Sequence, residues 1–180
     1  MIDFSKFEKK ANISFKNKDL LKQAFTHRSY VNENKADSLA HNERMEFLGD
    51  AVLELVDTEY LYSKYPNATE GDLTSYRSAL VNAITLSGVA RSLDVNEYLL
   101  LSKGEAKDEG RARLYILANT IEAIIGAIFL DQGYEVAKDF IAKNTFYLIE
   151  KIIEEKTWLD SKSHFQEMAQ EHTGITPSYK

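Results

Sequence analysis

The chain has 180 residues, 44% hydrophobic and 28% charged, with no cysteine. That is enough for one well-cored domain and a short appendage; it excludes a disulfide framework and a thiolate metal site, and it fits a reducing cytoplasm. A formal net charge of −6 weighs against a broadly basic nucleic-acid binder, so any such contact must rest on local charge.

The opening MIDFSKFEKK is charged throughout and lacks the apolar run of a signal peptide. After Asn17, an N-cap, KDLLKQAFTHRSY reads as one helix with Leu20, Leu21, Ala24 and Phe25 on a single face. A longer helix is predicted from about Leu39 to Lys64, ended by Tyr-Pro-Asn. Thr69 caps a helix over EGDLTSYRSALVNAITLSGVARSL, with Asp72 three residues on completing a capping box. LSKGEAKDEGRAR is a polar, basic loop, and the apolar helix LYILANTIEAIIGAIFL follows it. That segment is short for a membrane span and carries Asn119 and Glu122 near its middle, so it reads as a buried core helix and no membrane partner is expected. GYEVAKDFIAKNTFYLIEKIIEEK reads as one long amphipathic helix. No alternating strand pattern occurs before residue 174, so the fold class is all-α, a bundle of seven or eight helices. Residues 158–180 differ in character: Asp160 caps one more short helix ending at Gly174, and ITPSYK turns extended, as at the start of a second module.

The Leu39–Lys64 helix carries Glu43, Glu46, Asp50, Glu54 and Asp57 in one narrow stripe, at spacings of 3, 4, 4 and 3 and with no basic residue among them. Such repulsion destabilises a helix unless something compensates, although a solvated acidic face is the plainest account of it. Gly49 sits inside the same helix, where it costs roughly 1 kcal/mol relative to Ala, which points to a close approach by a neighbour. Glu122, isolated in an apolar helix, requires a neutralising partner. One candidate is a basic residue from another helix. The other is a divalent cation shared by Glu46 and Asp50 at i, i+4 with Asn119 and Glu122 at i, i+3, an oxygen-only set suited to Mg2+ or Mn2+ and not to zinc.

HNERMEFLGDAVL (41–53) resembles the signature helix of the ribonuclease III family. AFTHRSYVNE (24–33), YPNATEGDLTSYRSALVN (65–82), LSKGEAKDEGRAR (101–113) and ILANTIEAIIGAIFLDQGY (116–134) follow the family's order. The resemblance covers residues 1–157, implying a ribonuclease III endonuclease-domain helical bundle; 158–180 resembles a linker and the first helix and partial strand of a truncated double-stranded-RNA-binding domain. It implies a cytoplasmic homodimer that cuts double-stranded RNA with Mg2+ during ribosomal, transfer and messenger RNA processing, leaving 5′-phosphates and short 3′ overhangs. By this resemblance Glu46, Asp50, Asn119 and Glu122 hold the metal, and Asp50 and Glu122 are catalytic. Glu43 and Glu70 match secondary acidic positions near the RNA, and Phe47 matches an aromatic that plugs into the partner subunit.

Asn119 departs from the family, which has Asp there: LANTIEA stands where LADT.EA is the pattern. One fewer charge implies weaker Mg2+ binding, and it opens the alternative of a catalytically weakened or inactive relative that binds duplex RNA or the ribosome. Lys103, Lys107, Arg111 and Arg113, around the loop before the apolar helix, are candidate phosphate contacts, with Arg77 and Arg91 behind them. His27 and His41 read as structural hydrogen-bonders.

Overall fold

A computed structural model of the chain describes residues 2–35, 40–107 and 109–158, with Gln170 and Gly174 alone beyond them. The expected capping residue Asp160 and the proposed second module therefore lie outside the described residues. At the centre of the fold runs α7 (Arg111–Gln132), whose Ile116, Leu117, Ile121, Ile124, Ile125 and Ile128 are buried. By length and composition α7 could cross a membrane, but most of it is enclosed by the other helices.

Those helices are α1 (Ser5–Ala11), α2 (Lys18–Ala24), α3 (Arg28–Glu33), α4 (Glu43–Lys64), α5 (Glu70–Val81), α6 (Ala83–Ser92), α8 (Tyr134–Ile141) and α9 (Leu148–Glu154). α4 is the principal neighbour of α7, with α2, α6 and α8 packed around the pair. Phe4, Phe7, Phe25 and Tyr98 close one end of the core as an aromatic cluster with centroids 5.0 to 6.3 Å apart. At the far end of α4, Leu61, Leu80 and Ile149 form a smaller apolar cluster under Tyr65 and Tyr76. Trp158 meets Tyr76 edge-on, closing the bundle there.

Two caps expected from sequence are present. Asn17 accepts from the Asp19 amide, and Thr69 and Asp72 form the reciprocal capping box. Three expected helices are interrupted, each where side chains or tertiary hydrogen bonds displace the helical ladder. α2 stops at Ala24 because Thr26 pairs with Leu100 in an isolated parallel bridge: the Leu100 amide donates to the Phe25 carbonyl and the His27 amide to the Leu100 carbonyl. The helix predicted after Thr69 breaks at Asn82, which turns extended and starts α6 by accepting from the Thr85 amide. The helix predicted after Gly133 widens into a π-turn at Ala142–Phe146, where Asn144 and Thr145 each donate to the carbonyl four residues back. α4 begins at Glu43, later than predicted; the buried Asn42 side chain anchors its start by donating to the Ala24 carbonyl.

Candidate active site

The closest helix contact in the core builds the site. A Cβ on Gly49 of α4 would lie 1.7 Å from the Glu122 carbonyl oxygen of α7, and one on Gly126 would lie 2.2 Å from the Met45 carbonyl oxygen. Only hydrogen at both positions lets the two backbones touch, as the costly Gly49 suggested. Glu46 and Asp50 flank the contact on α4; Asn119 and Glu122 flank it on α7.

The three carboxyl groups repel one another, and Asn119 engages one of them. The Asn119 amide donates to the Glu46 carboxylate. Burial, followed by the charges of Asp50 and Glu46, pushes Glu122 up to about 8. Glu46 is also raised, by burial and by Glu43 and Asp50, against the opposing influence of Asn119 and Arg28. Among the described residues no Lys or Arg pairs with Glu122, so the buried salt bridge that sequence left open is not what neutralises it. No three His, Asp or Glu side chains of the described residues converge on one point. Three carboxylates and an amide oxygen around a partly buried spot fit a hard divalent ion that keeps several of its waters.

Other predicted residues fall at varying distance. Glu43, exposed on the first turn of α4, pairs with Arg28 at 3.3 Å and faces His41 at 3.7 Å. Glu70 opens α5 and accepts from the Thr74 hydroxyl. It lines a pocket with Leu61 and Tyr62, roughly 20 Å along α4 from Glu46, so one protomer does not bring it to the site. Phe47, next to Glu46, is 80% exposed. Lys103, Lys107 and Arg111 are exposed.

Arg113 is a correction: it is buried and donates to Asn96 Oδ1 and the Glu105 carbonyl, bracing the loop instead of facing a ligand. Asp57 is another, for the acidic stripe does not stay solvated along its length. The π-turn covers that end of α4, leaving Asp57 fully buried with only the Thr145 hydroxyl on Oδ1. His27 is structural, since its Nδ1 accepts from the Ser29 amide and caps α3. His41 makes no such bond through its Nδ1. Sequence reasoning missed Arg28 and Tyr115, which share a cavity with Glu46 and Asn119; AFTHRSY placed Arg28 near the site, but nothing in its pattern distinguished it.

A sequence profile described as Ribonuclease-III-like matches residues 17–149. Ribonuclease 3 of a Nitratiruptor species is 42% identical over 180 residues, all of this chain and 77% of that protein. Ribonuclease 3 of Clostridium kluyveri is 45% identical over 98% of this chain and 71% of its own length. Among solved structures, the nuclease domain of ribonuclease III from Campylobacter jejuni superposes with a TM-score of 0.72 at 42% identity, covering 84% of this chain and 96% of that one. Another structure of that domain, with a TM-score of 0.71 and 42% identity over 79% of this chain and 98% of that one, addresses flexibility in the region involved in its dimer formation. An all-helical fold, matched over nearly the whole chain by these enzymes, places the chain in the ribonuclease III family of endoribonucleases.

Proposed function

We propose that the chain cleaves double-stranded RNA using Mg2+ held by Glu46, Asp50, Asn119 and Glu122, with Mn2+ able to substitute. Glu122 carries this reading: a carboxyl raised to about 8, opposite two more acids and one turn from an amide on its own helix, with no cationic partner among the described residues. A bound divalent ion supplies Lewis acidity toward the scissile phosphate and a water of lowered pKa. Asp50 and Glu122 position that centre from opposite helices, and Glu46 is oriented by Asn119. Cleavage leaves 5′-phosphates and short 3′ overhangs. Duplex RNA is recognised mainly by shape, 2′-hydroxyls and phosphates, and exposed Lys103, Lys107 and Arg111 stand where they can meet phosphates. The setting is the cytoplasm, which the cysteine-free composition supports, and the substrates are precursors of ribosomal, transfer and messenger RNA.

The working form is a homodimer. α4 exposes Phe47 at 80%, Leu55 at 57% and Tyr62 at 74%, an apolar row with no cover in a single protomer. The pocket of about 210 Å³ beside Leu61, Tyr62 and Leu73 is sized for an aromatic ring. Two α4 helices packed antiparallel seat Phe47 of each copy in that pocket of the other. This also carries Glu70 of one copy toward Glu46 of the other, giving Glu70 the role that one protomer denies it.

Asn119 supports a second reading, an attenuated or inactive enzyme that retains RNA binding, because its neutral amide already engages Glu46. The deciding experiment is cleavage of a long RNA duplex with Mg2+, with Mn2+ and with chelator, alongside Asp50→Asn. Metal-dependent cutting by the unaltered chain alone supports the nuclease. Duplex binding without cutting under any metal favours the second reading.

A further inference from the structure

A cavity of about 500 Å³ opens beside the four-residue site, walled by His27 and Arg28 at the start of α3, Glu43 and Glu46 on α4, and Tyr115 and Asn119 on α7. Glu46 and Asn119 belong both to this cavity and to the site, so whatever fills it adjoins the reacting phosphate. The volume lies within the range of small-molecule pockets and suits one nucleotide.

Its polar chemistry is specific. Arg28 is the one Lys or Arg among the residues lining it. Its side chain is 68% exposed, and the guanidinium holds Glu43 at 3.3 Å, longer than a charge-assisted hydrogen bond at its best. An exposed pair of that length is readily exchanged for another anion. Tyr115 lies 48% exposed on a mostly buried helix, with Arg111 6.0 Å from its ring centre. A flat ring in the same cavity as a guanidinium held only by an exchangeable ion pair is a combination suited to a sugar–base unit and its phosphate. A free anion would meet the repulsion of Glu43 and Glu46, whereas a phosphate tethered to one held at the metal-binding carboxylates is delivered to Arg28 by its own backbone.

We infer that this cavity seats the nucleotide next to the scissile phosphate, Arg28 exchanging Glu43 for that nucleotide's phosphate and Tyr115 lying against its sugar or base. The inference rests on the nuclease reading above. Because phosphate contacts fix the register of a bound duplex, Arg28 decides which phosphate reaches the carboxylates.

The test uses the 180-residue chain and a long RNA duplex with Mg2+, measuring KM, kcat and the salt dependence of binding, the last with Ca2+ in place of Mg2+. Arg28→Ala is expected to raise KM about tenfold and to make the slope of log K against log salt shallower by about one, with an unchanged melting temperature. Arg28→Lys restores the slope but only part of KM, since it keeps the charge and loses the fork. Tyr115→Ala raises KM several-fold without altering the slope, and Tyr115→Phe recovers most of that loss. If the unaltered chain cuts duplex RNA while Arg28→Ala leaves KM and slope in place, or lowers kcat alone, the inference is overturned and the nuclease stands. If the unaltered chain cuts nothing, the nuclease reading fails first and takes this inference with it.

Discussion

Gly49 and Gly126 face each other across α4 and α7, and each leaves room only for the other helix's backbone. Replacing either with alanine drives a methyl group into a peptide carbonyl, which no side-chain rotation relieves. Gly49→Ala and Gly126→Ala are each expected to destabilise the fold by about 3 kcal/mol or more, measured by urea unfolding. Gly88, inside α6 with nothing within 4 Å of where an added methyl would stand, is the contrast: Gly88→Ala should stabilise by up to about 1 kcal/mol.

Glu122→Gln and Asp50→Asn remove charge from the site without removing volume. Each should lower kcat on duplex RNA by a factor on the order of 100 or more, read under saturating Mg2+. Without metal neither should melt earlier than the parent chain: Asp50→Asn removes a charge facing Glu46 and Glu122, and Glu122→Gln reproduces the neutral form that a carboxyl raised to about 8 takes below that pH. A melting temperature that falls sharply would mean that these carboxylates are structural.

Asn119→Asp should act in opposite directions with and without metal. In chelator it loses the amide that steadies Glu46 and adds a fourth carboxyl group to Glu46, Asp50 and Glu122, so it should melt earlier than the parent. In Mg2+ it should be stabilised more strongly and reach half-maximal activity at lower Mg2+, since a ligand that binds only the folded state adds RT ln(1 + [L]/Kd). Thermal melts across a Mg2+ series check both.

Asp57 gives the fold a dependence on pH separate from the site. Burial raises it from 3.8 to about 7, against smaller opposing effects from Thr145 and Arg77. Between those values the unfolded chain has lost this proton and the folded chain keeps it, so stability falls as pH rises from about 4 to 7 and levels off above. Asp57→Asn removes that slope. At pH 8 it should stabilise by about 1–3 kcal/mol, less than the full shift because the new amide group stands where Oδ2 has no partner. At pH 4 the gain should vanish, and urea midpoints at the two pH values measure it.

Phe47→Ala should leave the protomer folded, since the ring touches solvent, and shift the protein toward monomer in sedimentation. Leu73→Trp, which fills the pocket beside Tyr62, should do the same from the other side. Both variants should lose duplex cleavage together with the dimer.

How much of this was legible beforehand follows from which forces act locally. The Thr69–Asp72 box and the Asn17 cap involve neighbours in sequence and could be read directly. Gly49 was legible by its cost, and Glu122 by its isolation. The breaks at Thr26 and Asn82 and the π-turn at Ala142–Phe146 carry no proline or glycine; they depend on Leu100, on capping geometry and on side chains that bond back to the helix, so periodicity ran straight through them. Arg113 and Asp57 were misread for one reason, that charge predicts exposure until another element is packed on top. Glu70 was reached only through the family resemblance, since nothing in its local pattern points to a site and its proposed partner belongs to a second copy.

α7 has a consequence for how the chain behaves before it is whole. Buried along most of its length, it depends on α4 and its other neighbours for shelter. A partly assembled chain in which they have not closed presents a long oily rod to solvent, the kind of species that self-associates. Heating should therefore end in precipitate instead of a reversible coil, and the apparent transition should climb with scan rate, making this protein's endurance a matter of how slowly α7 is uncovered.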